Sequence, residues 1–518
     1  MMMNLTTDPW IPVVWEGGRP GLVSLTEAFQ RGEEIQDLAV RPHERIAIMR
    51  LLICIAQAAL DGPKDHLDWQ TCRERIVPAA AKYLKKWCVA FELFGDDQRF
   101  MQVENLKENG KSGDDDDGGN SISKLNLTLA TGNNTTLFDN GGGSDRTFTP
   151  AQLALMLLTF QCFSPGGRIG VVSWKGKPTP GNGSSDHAPC LPRSMVHSLI
   201  RGTRLIETIH RNLLSKETVS LLVNKDGWGR PSWEQMPASA QDAPAVQNTT
   251  ATYLGRFLPL ARAIRLENDG LSAVLGNGLK YPPYEEWREP TATIVVRQRS
   301  GKPERVVLGA SLDRAPWREL HSLAVRRVSR DTNGGPVALQ NIADSESFDL
   351  WVGGMVADKA KLLDAVEAVF HVPAGMLTEP VQRIYEDGVQ YAGDLDFLLR
   401  RAVSSYHKEL GNNLDRPEMR EQRQRIQSKA TFQFWTAIER DVQRLLDVVG
   451  NAETWPAKDG WSQTVWGKAV WTAAMRAFDS ACPHDTARQM RAFALARQVL
   501  FRAKQPDNST DKPEETES

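Results

Sequence analysis

The sequence predicts an α+β protein: a large mixed N-terminal domain followed by an all-α C-terminal four-helix bundle. Two patterns carry that reading. Beyond about residue 375 the apolar periodicity is helical to the end, over 379–409, 418–449, 461–481 and 485–503. Four segments of that length, joined by Gly-, Pro- and Asn-containing turns, fit an antiparallel bundle. Upstream, residues 251–310 change to a strand pattern. There the β-branched run Thr291 to Arg299 is turned back by Gly301-Lys302-Pro303 into Arg305-Val306-Val307-Leu308, a hairpin. The domain limits that follow are 1–374 for the α+β part, 375–505 for the bundle and 506–518 for a disordered polar tail. At 518 residues the chain is long enough for two or three domains.

The lead-in from Leu5 through Trp10-Ile11-Pro12-Val13-Val14 reads as a short extended segment. Residues 42–60 (PHERIAIMRLLICIAQAAL) are apolar on nearly every face after the first turn and stop at Asp61-Gly62-Pro63, the pattern of a buried helix. A second helix covers about 67–92. Residues 108–121 carry four consecutive aspartates, Asp114 to Asp117, and offer nothing to bury, so a disordered surface loop is expected. The stretch 131–146 is nearly as polar but holds one apolar pair, Leu137 and Phe138. A helix over 150–163 runs into Ser164-Pro165-Gly166-Gly167-Arg168, and the Gly/Pro/Ser-rich 175–192 reads as another exposed loop.

The composition, 41% hydrophobic and 24% charged, is that of a soluble globular protein. No run of about 18 uncharged apolar residues occurs, so no membrane helix is expected. The N-terminus reaches Asp8 and Pro9 before any apolar run, unlike a secretory leader, and a cytoplasmic location is the expectation. Six cysteines (Cys54, Cys72, Cys88, Cys162, Cys190, Cys482) are scattered without a CxxC pair, which fits reduced, buried thiols better than disulfides or a zinc site. A net charge of −2 and a pI near 6.5 argue against a protein that coats nucleic acid unaided, since phosphate neutralisation dominates such binding. Local contact with help from partners stays compatible with that charge.

Motifs for catalysis are not evident: the chain has no HExxH, no GxSxG and no paired CxxC. The run Gly170 to Pro178 has its glycines one residue too far apart for a phosphate loop, and Pro178 stands where a hydroxyl would bind magnesium. Aspartates 114–117 on a floppy loop make a poor cation cage, because ordering the loop costs entropy. The nine histidines are dispersed. No catalytic residue, cofactor or metal site is therefore expected; a nucleic-acid-processing enzyme with an unrecognised active site is the alternative. Basic residues concentrate late in the chain: Arg488, Arg491, Arg497, Arg502 and Lys504 without an acid between them, and Arg416, Arg420, Arg423, Arg425 and Lys429 diluted by Glu418 and Glu421. Such clusters are either a solvated helix face or a track along a nucleic-acid backbone.

Several short pieces, taken in order, resemble one family. They are Asn4-Leu5 with Trp10-Ile11-Pro12-Val13, the helix stretch Leu51-Leu52-Ile53-Cys54-Ile55-Ala56-Gln57, Phe100-Met101-Gln102, Gln340-Asn341-Ile342-Ala343 and Trp351-Val352-Gly353-Gly354. Their order and spacing resemble the CasA proteins, large subunits of the type I-E CRISPR Cascade complex, over essentially the whole chain. The resemblance implies a non-catalytic subunit of an RNA-guided antiviral ribonucleoprotein complex. In such a complex the guide RNA reads the target sequence while protein reads a short flanking motif. The expected partners are the other Cascade subunits with the guide RNA, target double-stranded DNA, and a helicase-nuclease recruited once the R-loop has formed; no membrane is involved.

The resemblance also assigns nucleic-acid-binding residues. The family's mobile first loop matches Phe138 and Asn140, an aromatic in a polar loop that fits stacking or docking; Phe138 also reads as a hydrophobic anchor shared with Leu137. The family's glycine loop, which enters the minor groove, matches Gly166 and Gly167 with Arg168 next. Without Cβ atoms a backbone can approach base edges closely, although a plain helix-ending turn explains the same residues. The minor-groove lysine matches Lys280, which also reads as a surface lysine. The wedge, after the Gly-Gly pair, falls on Asp358, Lys359 and Ala360, where Lys359 stands in place of the family's glutamine. The local alternative there is a helix from Lys359 to Val369 capped by Asp358.

Overall fold

The computed structural model describes residues 2–95, 98–108, 120–129, 146–167, 172–179, 188–223, 226–283, 287–299, 301–358, 361–411, 416–457 and 460–502. The chain divides into two compact units: one of Met1–Pro316, Ser322–Ala343 and Phe348–Val369, the other of Trp317–His321, Asp344–Ser347 and Phe370 onward.

The first unit is a mixture of small antiparallel sheets and helices, as the α+β reading requires. Its central helix is Pro42–Leu60, buried from Ile46 through Gln57. The helix starts with Pro42 at its first position and the Glu44 carboxylate accepting from the Arg41 amide (2.8 Å), and it ends at Asp61 in a left-handed conformation. Arg50 inside this helix is buried and paired with Glu289, and it donates to the carbonyls of Phe257 and Arg256 (both 2.8 Å). A buried cation persists only when partnered so completely.

Five small sheets are present among the described residues. The lead-in becomes Ile11–Trp15, the middle strand between Pro20–Val23 and Ile35–Leu38. Strands Asn120–Ser121, Ser272–Asn277 and Arg262–Leu266 form a second sheet, and Leu106–Glu108, Val172–Trp174 and Lys177–Pro178 a third. The expected hairpin is present as Ile294–Arg299 and Lys302–Val307, turned at Gly301 with φ +74°. The last sheet orders Lys361–Val372, Phe348–Asp358 and His197–Arg201.

Four elements depart from the sequence reading. The helix over 67–92 is divided into His66–Thr71, Arg73–Trp87 and a short 3-10 turn, Cys88–Phe91. Residues 188–192 are not an exposed loop: Ala188, Cys190 and Leu191 are buried, because the Cys190 amide donates to the Cys162 carbonyl (3.1 Å) and the Ala188 amide to that of Ser164 (3.0 Å). The helix over 418–449 is two, Pro417–Glu439 and Val442–Gly450, with the chain turning at Arg440-Asp441. The helix read from Lys359 to Val369 is instead the strand Lys361–Val372.

The second unit packs the helices Glu379–Glu409, Pro417–Glu439, Val465–Ala481 and Ala487–Arg502, with the shorter Val442–Gly450 among them. Trp317 lies in its core, with ring centroids 5.9 Å from Trp435 and 5.8 Å from Trp466, and its carbonyl accepts from the Tyr385 hydroxyl (2.6 Å). Among the described residues no helix is long and apolar enough to cross a membrane.

Candidate nucleic-acid interface

The helix Pro150–Phe163 opens with a capping box between Thr149 and Gln152 and delivers Ser164-Pro165-Gly166-Gly167 at its C-terminal end. That end is held from two sides. The Gln161 amide, fully buried, donates to the carbonyls of Met101 (3.1 Å) and Arg262 (2.9 Å) and accepts from the Arg262 amide (2.9 Å). The Arg262 guanidinium then reaches back, donating to the Ser164 hydroxyl (3.1 Å) and the Pro165 carbonyl (2.6 Å). Gly167 has φ +138°, a conformation L side chains rarely adopt, so the turn needs a glycine there.

Lys280 belongs to a segment fastened to the same backbone. A Cβ on Gly278 would lie 2.3 Å from the Leu260 carbonyl oxygen and 2.6 Å from the Arg262 nitrogen, so only glycine permits this approach. The Leu279 amide donates to the Leu260 carbonyl (2.9 Å), and the Leu260 amide donates to the Tyr281 hydroxyl (2.7 Å). Burial pushes that hydroxyl's pKa up, keeping it protonated. Arg256, buried beneath, donates to the Pro282 carbonyl (2.9 Å) and lies 4.4 Å from the Trp287 ring centroid. Desolvation lowers its pKa to about 10, still far enough above neutrality to leave it charged. Lys280 stays exposed on this rigid support. Residues 260–262 therefore join the two elements: Gly278–Tyr281 packs on Leu260, and Ser164–Pro165 hangs from Arg262.

Asp358 is exposed at the end of the strand Phe348–Asp358, and the partner strand begins at Lys361. The end of a strand, not a helix start, thus stands at Asp358, the first of the residues that the resemblance matches to the wedge. Pairing decides this against local propensity: Asp349 through Gly353 match Arg201 through His197 in an antiparallel ladder. Gly353 and Gly354 serve that packing, since a Cβ on Gly353 would lie 2.4 Å from the Trp351 ring and one on Gly354 2.7 Å from the Met195 carbonyl oxygen. Lys359, Ala360, Phe138, Asn140 and Arg168 lie outside the described residues.

Part of the C-terminal basic charge is used within its own unit. Arg488 donates to the Leu410 carbonyl, Arg497 pairs with Asp479 (3.1 Å), and Arg425 with Glu421 (2.5 Å). Among the described residues no group of three His, Cys, Asp or Glu stands ready to hold a metal.

The model of the family described as CRISPR-associated protein Cse1 matches residues 4–477. The chain belongs to the Cse1 family. It is 29% identical to the CasA/Cse1 protein of Thermus thermophilus, over 96% of each chain. A solved Thermus thermophilus CasA structure superposes with a TM-score of 0.75 at 24% identity, covering 97% of this chain and 99% of that one. A chain of a solved CRISPR RNA-guided surveillance complex gives 0.70 at 17% identity, over 96% and 99%.

Within this Cse1-family chain, the motif residues of the sequence are structural brackets. Asn4 donates to the Cys88 carbonyl (2.9 Å) and the Glu92 carboxylate (2.8 Å). Gln57 donates to the Leu214 carbonyl (2.7 Å) and accepts from the Tyr253 hydroxyl (2.7 Å). Gln102 donates to the Leu93 carbonyl (2.8 Å) and accepts from the Leu266 amide (2.9 Å), and Asn341 donates to the carbonyls of Arg211 and Leu213. Each amide satisfies buried backbone groups far away in sequence, a role few other side chains fill. Sequence reasoning missed Arg256 and Arg262. For Arg262 the available signal was an arginine at an inward position of the largely apolar stretch Leu258 to Leu266, which also holds Arg265; Arg256 lies just before that stretch and carried no such signal.

Proposed function

We propose that this chain is the large, non-catalytic subunit of an RNA-guided surveillance complex, reading the short motif beside the target in duplex DNA and opening the duplex for the guide. In this reading Gly166, Gly167 and Lys280 approach the minor groove. Arg168 follows the glycine pair as a further contact, and Phe138 and Asn140 stack on or dock against the DNA. The tip Asp358-Lys359-Ala360 separates the strands, and the open complex recruits the helicase-nuclease. The observation that carries the reading is the joining of the glycine turn and the lysine segment through residues 260–262. A rigid backbone that presents glycine and an exposed lysine together suits a narrow groove with a degenerate acceptor pattern. The near-neutral net charge is consistent, because partner subunits and guide RNA supply the remaining surface.

The test is the affinity of the complete complex, assembled on its guide RNA, for a matched duplex. Lys280→Ala lowers it about 5- to 100-fold, the effect of losing one base-edge contact of roughly 1–3 kcal/mol, and leaves the thermal stability of the free subunit unchanged. Equal affinity with and without Lys280 removes it from the interface.

A further inference from the structure

The ladder between Arg262–Leu266 and Ser272–Asn277 ends where Asn277 faces Arg262. Lys280 comes after that last rung, so the sheet itself does not hold it. Its two neighbours do, and both take hold of Leu260, which is fully buried. On one side the Leu279 amide donates to the Leu260 carbonyl (2.9 Å); on the other the Tyr281 hydroxyl accepts from the Leu260 amide (2.7 Å). Lys280 is the middle residue of a clamp whose two jaws close on one point of the core.

The two jaws differ in kind. The Leu279 jaw is backbone, which almost any residue supplies. The Tyr281 jaw is a single side-chain oxygen, and it satisfies a buried amide that would be costly to leave unpaired. The ring that carries this oxygen is itself held. The Arg256 guanidinium lies 5.4 Å from its centroid, and the same group donates to the carbonyls of Thr250 (3.1 Å) and Pro282 (2.9 Å). Residues 279, 281 and 282 are thus each fastened, while Lys280 between them stays exposed. A long side chain that starts from a fixed backbone has fewer conformations to lose when it meets a ligand.

We propose that Tyr281 is a positioning residue whose hydroxyl fixes the backbone from which Lys280 reaches the motif in duplex DNA. The inference rests on the reading of Lys280 as a groove contact, and a double-mutant cycle separates the two.

Tyr281→Phe keeps the ring and its place against Arg256 and deletes one oxygen. In the free full-length subunit, hydrogen exchange at the Leu260 amide rises by about two- to tenfold, the loss of roughly one net hydrogen bond. In the complete complex on its guide RNA, Tyr281→Phe weakens binding to a matched duplex by about two- to tenfold. It also narrows the preference for the correct motif over an altered one, because a loosened lysine aims less well at base edges. In the Lys280→Ala background the same substitution changes neither quantity further. An equal loss with and without Lys280, or a loss that leaves the motif preference intact, means that Tyr281 serves the fold at large, and the inference is overturned. Unchanged exchange at Leu260 overturns it as well. If Lys280→Ala weakens duplex binding and Tyr281→Phe does not, the positioning role falls alone. If Lys280→Ala has no effect on duplex binding, the groove reading fails and takes this inference with it.

Discussion

Replacing Arg262 with Met keeps a long, unbranched side chain in place while deleting the guanidinium that suspends Ser164 and Pro165. The hydrogen bonds lost include one of 3.1 Å to the Ser164 hydroxyl and one of 2.6 Å to the Pro165 carbonyl. Bonds from a charged donor contribute about 1.5–3 kcal/mol each. Removing a buried cation recovers part of that, because its desolvation no longer opposes folding. With Arg262 only 2% exposed, the net loss is about 2–4 kcal/mol, which urea denaturation followed through tryptophan fluorescence resolves easily. The functional consequence is larger than the position suggests, since Arg262 contacts no DNA in this account. Residues 164–167 lose their suspension and must be ordered on the duplex, at about 1–2 kcal/mol per residue. Target affinity of the assembled complex therefore falls by at least roughly tenfold. A variant that is destabilised yet binds duplex targets normally would refute the idea that this brace presents the glycine turn.

Two further predictions concern stability. His197 is fully buried, with Nε2 donating to the Cys190 carbonyl (2.9 Å) and Nδ1 accepting from the Thr291 hydroxyl (2.8 Å), and desolvation lowers its pKa from 6.5 to about 4. The unfolded chain then takes up a proton near pH 6.5 that the folded chain refuses until about pH 4, so stability declines as pH falls through that window, by about 3 kcal/mol from this group. His43, lowered to about 3 chiefly by burial, acts in the same direction. Urea midpoints measured between pH 7.5 and 4.5 check this, and a flat profile contradicts it. Within the helix Glu379–Glu409, a Cβ on Gly393 would meet nothing within 4 Å. Gly393→Ala should raise stability by about 0.5–1 kcal/mol through helix propensity alone, read as a higher thermal midpoint of the transition that includes this helix.

The sequence was most legible where local chemistry and burial agree. Pro42 and Asp61-Gly62-Pro63 bracket the central helix at the residues where it begins and ends, and Gly301 marks the turn of the 294–307 hairpin. It was least legible where distant pairing decides. Residues 361–372 (KLLDAVEAVFHV) contain good helix formers, and an aspartate lies just ahead of them. They nevertheless form a strand because Phe348–Asp358 is already fixed to His197–Arg201, some 150 residues earlier in the chain. The same holds for Ala188 to Leu191, whose Gly/Pro/Ser-rich context hides pairing to the end of the helix Pro150–Phe163. For the candidate interface, glycines and an exposed lysine were visible as residue types. What supports them was not, because Arg256, Arg262 and Tyr281 act through contacts across 21 to 97 positions of sequence.

The central claim is that Lys280 faces the motif in duplex DNA, and site-specific photo-crosslinking tests it most directly. A photoreactive amino acid at position 280 is carried into the complete complex on a duplex of known sequence, and the crosslinked nucleotide is mapped. The account predicts crosslinks confined to the base pairs of the motif flanking the guide-matched segment, lost when that motif is changed. Crosslinks only to partner protein, or to DNA distant from the motif, would contradict it.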